Sequence, residues 1–223
     1  MSIKDNLERI KAEIPQHVKL VAVSKTKPVE ILQEAYDAGQ RVFGENKAQE
    51  MAMKHNELPK DIEWHFIGHM QTNKVKYIAP FVSLIHSVDS MKVLKEIDKQ
   101  AAKNNRVIDC LLQFHIAEEE TKFGLNMAEA EEIALLKNSF EHVRFTGVMG
   151  MATFTNDTNQ IRREFKQLKS YFNLLKEKHF TTDNAFKEIS MGMSGDYNIA
   201  IEEGSTMVRI GTKIFGERVY KNK

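Results

Sequence analysis

The sequence predicts an α/β protein folded as a (β/α)8 TIM-type barrel with an extra N-terminal helix, and three observations predict it. Short apolar runs alternate with helical segments eight times along the chain. The length, 223 residues, suits one barrel of this kind. The turn after the first strand, Ser24-Lys25-Thr26-Lys27, holds no glycine, whereas a doubly wound open sheet, the alternative, normally carries a Gly-rich phosphate fingerprint there. No composition shift or Pro/Gly/Ser-rich linker marks a second domain, so the barrel is expected to occupy residues 1–223.

Residues 2–14 place Ile3, Leu7, Ile10 and Ile14 on one helical stripe, with Ser2 and Asp5 as a capping box. Leu20-Val21-Ala22-Val23 reads as a first strand buried on both faces, ending at Ser24 and Lys25, and Pro28 opens a helix that Gly39 closes. The second strand is Arg41 to Asn46, followed by a helix from Ala48 to about His55. Glu63 to Gly68 is the third strand, with a basic helix from about Asn73, and Phe81 to Val88 the fourth, with Asp89 or Ser90 capping the next helix. Asp109 to Ile116 is the fifth; the loop 120–124 separates it from a helix through Ile133 and Leu136. Arg144 to Met151 is the sixth, before a long helix whose buried stripe is Ile161, Phe165, Leu168, Phe172 and Leu175. Glu188 to Ser194 is the seventh strand, Asp196 to Glu203 a short helix, and Thr206 to Phe215 the eighth strand.

Composition excludes several function classes. A net charge of +1 gives no general attraction to nucleic acid or anionic membrane, and no segment approaches the roughly 20 apolar residues of a membrane span. The N-terminus lacks an apolar signal core, and the single cysteine, Cys110, lies in an apolar run where a buried inert thiol is expected; cytosol is the expected compartment. The eight histidines show no metal-ligand spacing, so no metal is expected.

In a barrel the working face is formed by the C-terminal ends of the strands, which here collect Lys25, Asn46, Gly68 with His69, Lys122, Ser194 and Arg209-Ile210-Gly211-Thr212. A lysine at the end of a buried strand has a partly dehydrated amine, as a Schiff-base lysine requires; it also suits a lysine that leans into solvent. The seventh and eighth strand ends each offer a hydroxyl beside a glycine where barrels often hold phosphate; turn glycines and a helix cap would read the same way. Alternation along the strands allows Lys25, Ser194 and Arg209 to point together into the mouth, where the arginine needs an acceptor, a ligand or a core salt bridge.

An amine, a phosphate cradle and an arginine match pyridoxal 5′-phosphate at its aldehyde, phosphate and ring nitrogen. The segments Val21-Ala22-Val23-Ser24-Lys25-Thr26-Lys27-Pro28, Phe43-Gly44-Glu45-Asn46, Trp64-His65-Phe66-Ile67-Gly68, Gln71-Thr72-Asn73-Lys74, Ser190-Met191-Gly192-Met193-Ser194 and residues 204–216 resemble those of the pyridoxal-phosphate homeostasis proteins, single-domain relatives of the alanine racemase barrel (fold type III). The resemblance covers essentially the whole chain; His69-Met70 departs from it and bears on a loop contact. It implies Lys25 as the Schiff-base lysine, Ser194, Gly211 and Thr212 as phosphate holders, Arg209 facing the pyridine nitrogen and Asn46 beside the cofactor. His65 is expected in the core, with a place near the ring as the other option, and Lys27, Lys74 and Lys122 in solvent.

The resemblance implies a binding protein that buffers or delivers the vitamin B6 cofactor, affecting amino-acid and keto-acid balance, with PLP-dependent apo-enzymes as partners and a monomer allowed. The alternative is a PLP-dependent amino-acid racemase acting through Lys25. An arginine at the ring nitrogen weakens the electron sink such chemistry needs. In that family a tyrosine on a further β domain is the second acid/base; this chain is read as ending after its eighth strand, and Tyr36, Tyr77, Tyr171, Tyr197 and Tyr220 offer no evident substitute. A third reading is an isomerase or lyase acting on a phosphorylated metabolite.

Overall fold

The computed structural model describes residues 2–119 and 123–217, so Lys122 and Tyr220 lie outside the described residues. Eight parallel strands close into a barrel in sequence order: β1 (Lys19–Val23), β2 (Val42–Glu45), β3 (Glu63–Phe66), β4 (Leu84–Val88), β5 (Ile108–Gln113), β6 (Val143–Met149), β7 (Glu188–Ser190) and β8 (Met207–Ile210). The helices around it are α1 (Ile3–Glu13), α2 (Val29–Asp37), α3 (Ala48–Glu57), α4 (Thr72–Ile78), α5 (Met91–Lys103), α6 (Met127–Leu135), α7 (Thr158–His179), α8 (Tyr197–Glu202) and α9 (Thr212–Phe215). The closing contact is β1 against β8, with Val21 opposite Arg209.

Side-chain alternation divides the buried residues into two layers. Val21, Leu84, Leu111, Met149 and Met207 form a cluster inside the barrel, whereas Ala22, Phe43, Trp64 and Ile85 join the layer between strands and helices. The stripe read on α7 is buried as expected, and Asp157 caps that helix by accepting from Asn159 and Gln160 N–H. The capping box of α1 forms as read, Ser2 and Asp5 exchanging bonds of 3.0 and 3.1 Å. Ser90 rather than Asp89 caps α5. Helix α1 is fastened to the barrel by Asn6, whose amide donates to Ile214 O at 3.0 Å, and by Tyr197, whose hydroxyl donates to Glu13.

Two strand readings are corrected. The seventh strand ends at Ser190, because Gly192 takes a φ of +95° and turns the chain off the sheet before Ser194. The eighth ends at Ile210, and residues 212–215, read as strand, form the helical turn α9. The apolar run Val208, Ile210, Ile214 suggested a strand, but Gly211 bends the chain and its carbonyl accepts from both Ile214 and Phe215 N–H at 2.9 Å.

Candidate functional site

Lys25 lies just past the end of β1, half-buried, with Ser24 and Thr26 on either side. Thr26 has a φ of +66°, the left-handed region that a β-branched residue seldom enters. Its N–H donates to Glu50 Oε1 at 2.7 Å, and Ser24 Oγ donates to Glu45 Oε1 at 2.6 Å. Next door, at the end of β2, Asn46 is half-buried and its Oδ1 is enclosed without a hydrogen-bond partner. Gly68 closes over it from β3: a Cβ there would sit 2.3 Å from the Asn46 carbonyl oxygen.

At the ends of β7 and β8 the main chain does most of the construction. Arg209 N–H donates to Gly192 O at 3.0 Å, and Gly211 N–H donates to Ser194 Oγ at 3.3 Å, so the two loops lie side by side. A side chain on Gly211 would meet Val23 O at 3.0 Å, which puts this loop directly against the strand that ends in Lys25. Thr212 and Lys213 open α9, where first-turn N–H groups have no acceptor within the helix. Lys27 donates to the carbonyls of Phe215, Gly216 and Glu217 at 2.8, 3.2 and 2.9 Å, tying the far end of α9 to the Lys25 turn.

Arg209 is buried inside the mouth, held by neutral acceptors: Nη1 donates to Ser190 Oγ at 2.6 Å and Nη2 to Gly150 O at 3.1 Å. The serine continues a buried chain, with His86 Nδ1 2.9 Å from Ser190 Oγ and His65 Nδ1 3.0 Å from His86 Nε2. An arginine only donates, so Ser190 Oγ accepts from it, and the serine hydroxyl and the two rings continue the chain. Burial holds both rings neutral: His65 falls to about 3, and His86 is pushed well below its ordinary 6.5 by burial, His65 and Arg209. Burial lowers the guanidinium only to about 10, so Arg209 stays cationic at neutral pH.

The structure brings Lys25, Asn46, Ser194, Arg209, Gly211 and Thr212 to one end of the barrel, at the ends of β1, β2, β7 and β8. His65 is a core residue, as expected. Lys27 is not in solvent as expected, because three carbonyls hold it. His69 sits on the rim, stacked on Phe123 at 3.8 Å and bonded to Asp89 at 2.8 Å. Cys110 is fully buried and burial raises its thiol well above 9.0, so it is inert. Among the described residues no cluster of histidine, cysteine and carboxylates could hold a metal, and no helix is long and apolar enough to cross a membrane. A cavity of about 340 Å³ at the opposite end is lined by strand-start residues whose charges pair with one another, Lys19 with Glu63 and Arg144 with Asp109.

Sequence reasoning missed Ser190, His86, Glu45, Glu50 and Lys54. Ser190 and His86 carried a signal, because alternation places them inward with Arg209 and Leu84. Lys54 carried none. It reads as the solvent partner of Glu50 one helical turn earlier, yet it is 1% exposed.

The alanine racemase, N-terminal domain family matches residues 1–219. A pyridoxal phosphate homeostasis protein of Aquifex aeolicus is 41% identical over 91% of this chain and 88% of its own length. One from Vibrio alginolyticus is 39% identical over 98% of this chain and 99% of its own. Among solved structures, PipY of Synechococcus elongatus with PLP bound superposes with a TM-score of 0.89 at 32% identity, covering 96% of this chain and 100% of that one.

Proposed function

The chain belongs to the alanine racemase N-terminal domain family, among the pyridoxal phosphate homeostasis proteins, and from that premise we propose that it holds pyridoxal 5′-phosphate through Lys25 and serves cofactor homeostasis rather than substrate turnover. The cofactor supplies an aldehyde that condenses with a primary amine, losing water to leave a C=N bond.

The donor set suits this group at each end. Ser194 Oγ, Gly211 and the first-turn N–H groups of Thr212 and Lys213 provide an anion cradle for the phosphate, without a side chain on Gly211 to block it. The Arg209 guanidinium would present donors to the ring nitrogen, and its anchorage by Ser190 and Gly150 holds it in place for that. A permanent donor there would discourage protonation of the ring nitrogen and so restrain carbanion chemistry. The enclosed Asn46 Oδ1 lacks a partner within the protein and would offer the cofactor an acceptor. That convergence of amine, cradle and cation at one barrel mouth is the observation that carries the reading.

The described tyrosines are engaged elsewhere, which speaks against a racemase. Tyr36 donates to Asp61, and Tyr171 accepts from Gln167. Tyr197 donates to Glu13 and is pushed up to about 12 by burial and that bond, while Tyr77 lies beneath Lys74 and Lys76. A barrel closed by its own β8–β1 contact allows a monomer, and the single cysteine suits a reducing compartment such as the cytoplasm. Release to apo-enzymes is the role we assign to the holo-protein.

Addition of pyridoxal 5′-phosphate to the purified protein tests the reading: a visible absorption band in the wild type, absent from Lys25→Ala, and no racemisation of a panel of L- and D-amino acids. A protein that takes up no cofactor overturns it, and steady turnover of one amino acid replaces the carrier with the racemase.

A further inference from the structure

We propose that Glu45, Glu50 and Lys54 are positioning residues for Lys25: a buried ion cluster outside the barrel wall that grips the backbone on both sides of the lysine and holds it in a strained turn. The inference rests on the reading that Lys25 bonds the cofactor.

Lys54 Nζ donates to Ser24 O at 2.9 Å, to Glu45 Oε1 at 2.7 Å and to Glu50 Oε1 at 2.7 Å, which uses all three ammonium protons. The same two carboxylate oxygens accept from the residues flanking the lysine: Glu45 Oε1 from Ser24 Oγ and Glu50 Oε1 from Thr26 N–H. The cluster therefore contacts positions 24 and 26, on either side of Lys25. Alternation explains this, since Ser24 faces the helix layer while Val21, Val23 and Lys25 face the barrel mouth.

A buried ion pair is a poor way to gain stability, because apolar residues of the same volume commonly do as well. Here burial pushes the Glu45 carboxyl above its ordinary range against the pull of Lys54, and its Oε2 lies buried without a partner. What the cluster achieves instead is geometric. The left-handed Thr26 would relax to an ordinary conformation if its N–H were released, and relaxation would rotate the preceding residue. An amine misplaced by an ångström at the reacting centre loses much of its effective concentration.

The test compares two ligands that share ring and phosphate, pyridoxal 5′-phosphate and pyridoxine 5′-phosphate, whose alcohol cannot bond an amine. Their affinities are measured by spectroscopic titration for the wild type, Glu50→Ala and Lys54→Met. The expected result is a loss of about tenfold or more for the aldehyde in each variant, with the alcohol held within about twofold. Adding Thr26→Gly to Glu50→Ala, which makes the left-handed turn permissible without the clamp, is expected to restore most of the aldehyde affinity. Equal losses for both ligands, no loss for either, or no rescue by the glycine overturns the proposal. A wild type that binds the aldehyde no tighter than the alcohol instead overturns the Lys25 reading itself. Because Glu50 is partly exposed, Glu50→Ala remains informative even if Lys54→Met does not fold.

Discussion

At the ends of β1 and β2 the mouth of the barrel is held by charge, and at the ends of β7 and β8 it is held by glycine and main-chain hydrogen bonds. On the first side Lys54, Glu45 and Glu50 hold the chain at Ser24 and, through Glu50, the N–H of a threonine in the left-handed region, with a half-buried lysine between them. On the second, Gly192 and Gly211 let two loops approach closely, and Ser194 joins them with a single bond. The contrast follows the chemistry we propose for each side. A phosphate needs a concave array of N–H groups, which the backbone provides once side chains are absent. A reacting amine needs one direction in space, and fixing it takes partners for the residues around it.

If that contrast holds, the glycine side breaks by steric intrusion. A Cβ on Gly192 would lie 2.6 Å from Ala200 Cβ and 3.0 Å from Tyr197 Cα, at a φ of +95°. Gly192→Val is therefore expected to lower stability by about 3 kcal/mol in urea titrations and to abolish phosphate-dependent binding. Acid acts next, on the interior between the two sides. His65 and His86 stay neutral when folded but protonate near 6.5 when unfolded, so the unfolded state binds more protons and stability falls as pH drops from about 6.5 toward 3. His65 contributes a loss of about 1.4 kcal/mol per pH unit in that window, and His86 acts in the same direction, read from urea midpoints at pH 7 and pH 5. Imidazole nitrogen shifts that already report charged rings at pH 5 would contradict this. The smallest effect is expected from Ser190→Ala, which deprives Arg209 of one acceptor and costs about 1.5 kcal/mol, with cofactor affinity falling alongside.

The two sides were unequally legible in the sequence. Ser194 and the segment Arg209 to Thr212 carried a signal in a hydroxyl beside a glycine at a strand end, although turn glycines would read the same way, and Lys25 stood out at the end of a buried strand. The barrel itself followed from eight apolar runs; the strand bounds were placed within about three residues except at the ends of β7 and β8, where glycine turns the chain before the hydrophobic pattern stops. Glu45, Glu50 and Lys54 were not legible as a cluster. Glu50 and Lys54 have the spacing of an ordinary surface pair, and nothing local to α3 tells a buried lysine from a solvated one. Lys27 escaped for a similar reason: its acceptors, the carbonyls of residues 215–217, lie nearly the whole chain away.

The measurement that bears most directly on the account is borohydride reduction of the protein saturated with pyridoxal 5′-phosphate, followed by peptide mapping of the adduct. One stoichiometric adduct is expected, on Lys25, that disappears in Lys25→Ala while the variant keeps its fold. An adduct on Lys27, Lys54 or Lys213, or undiminished labelling of Lys25→Ala, would contradict it.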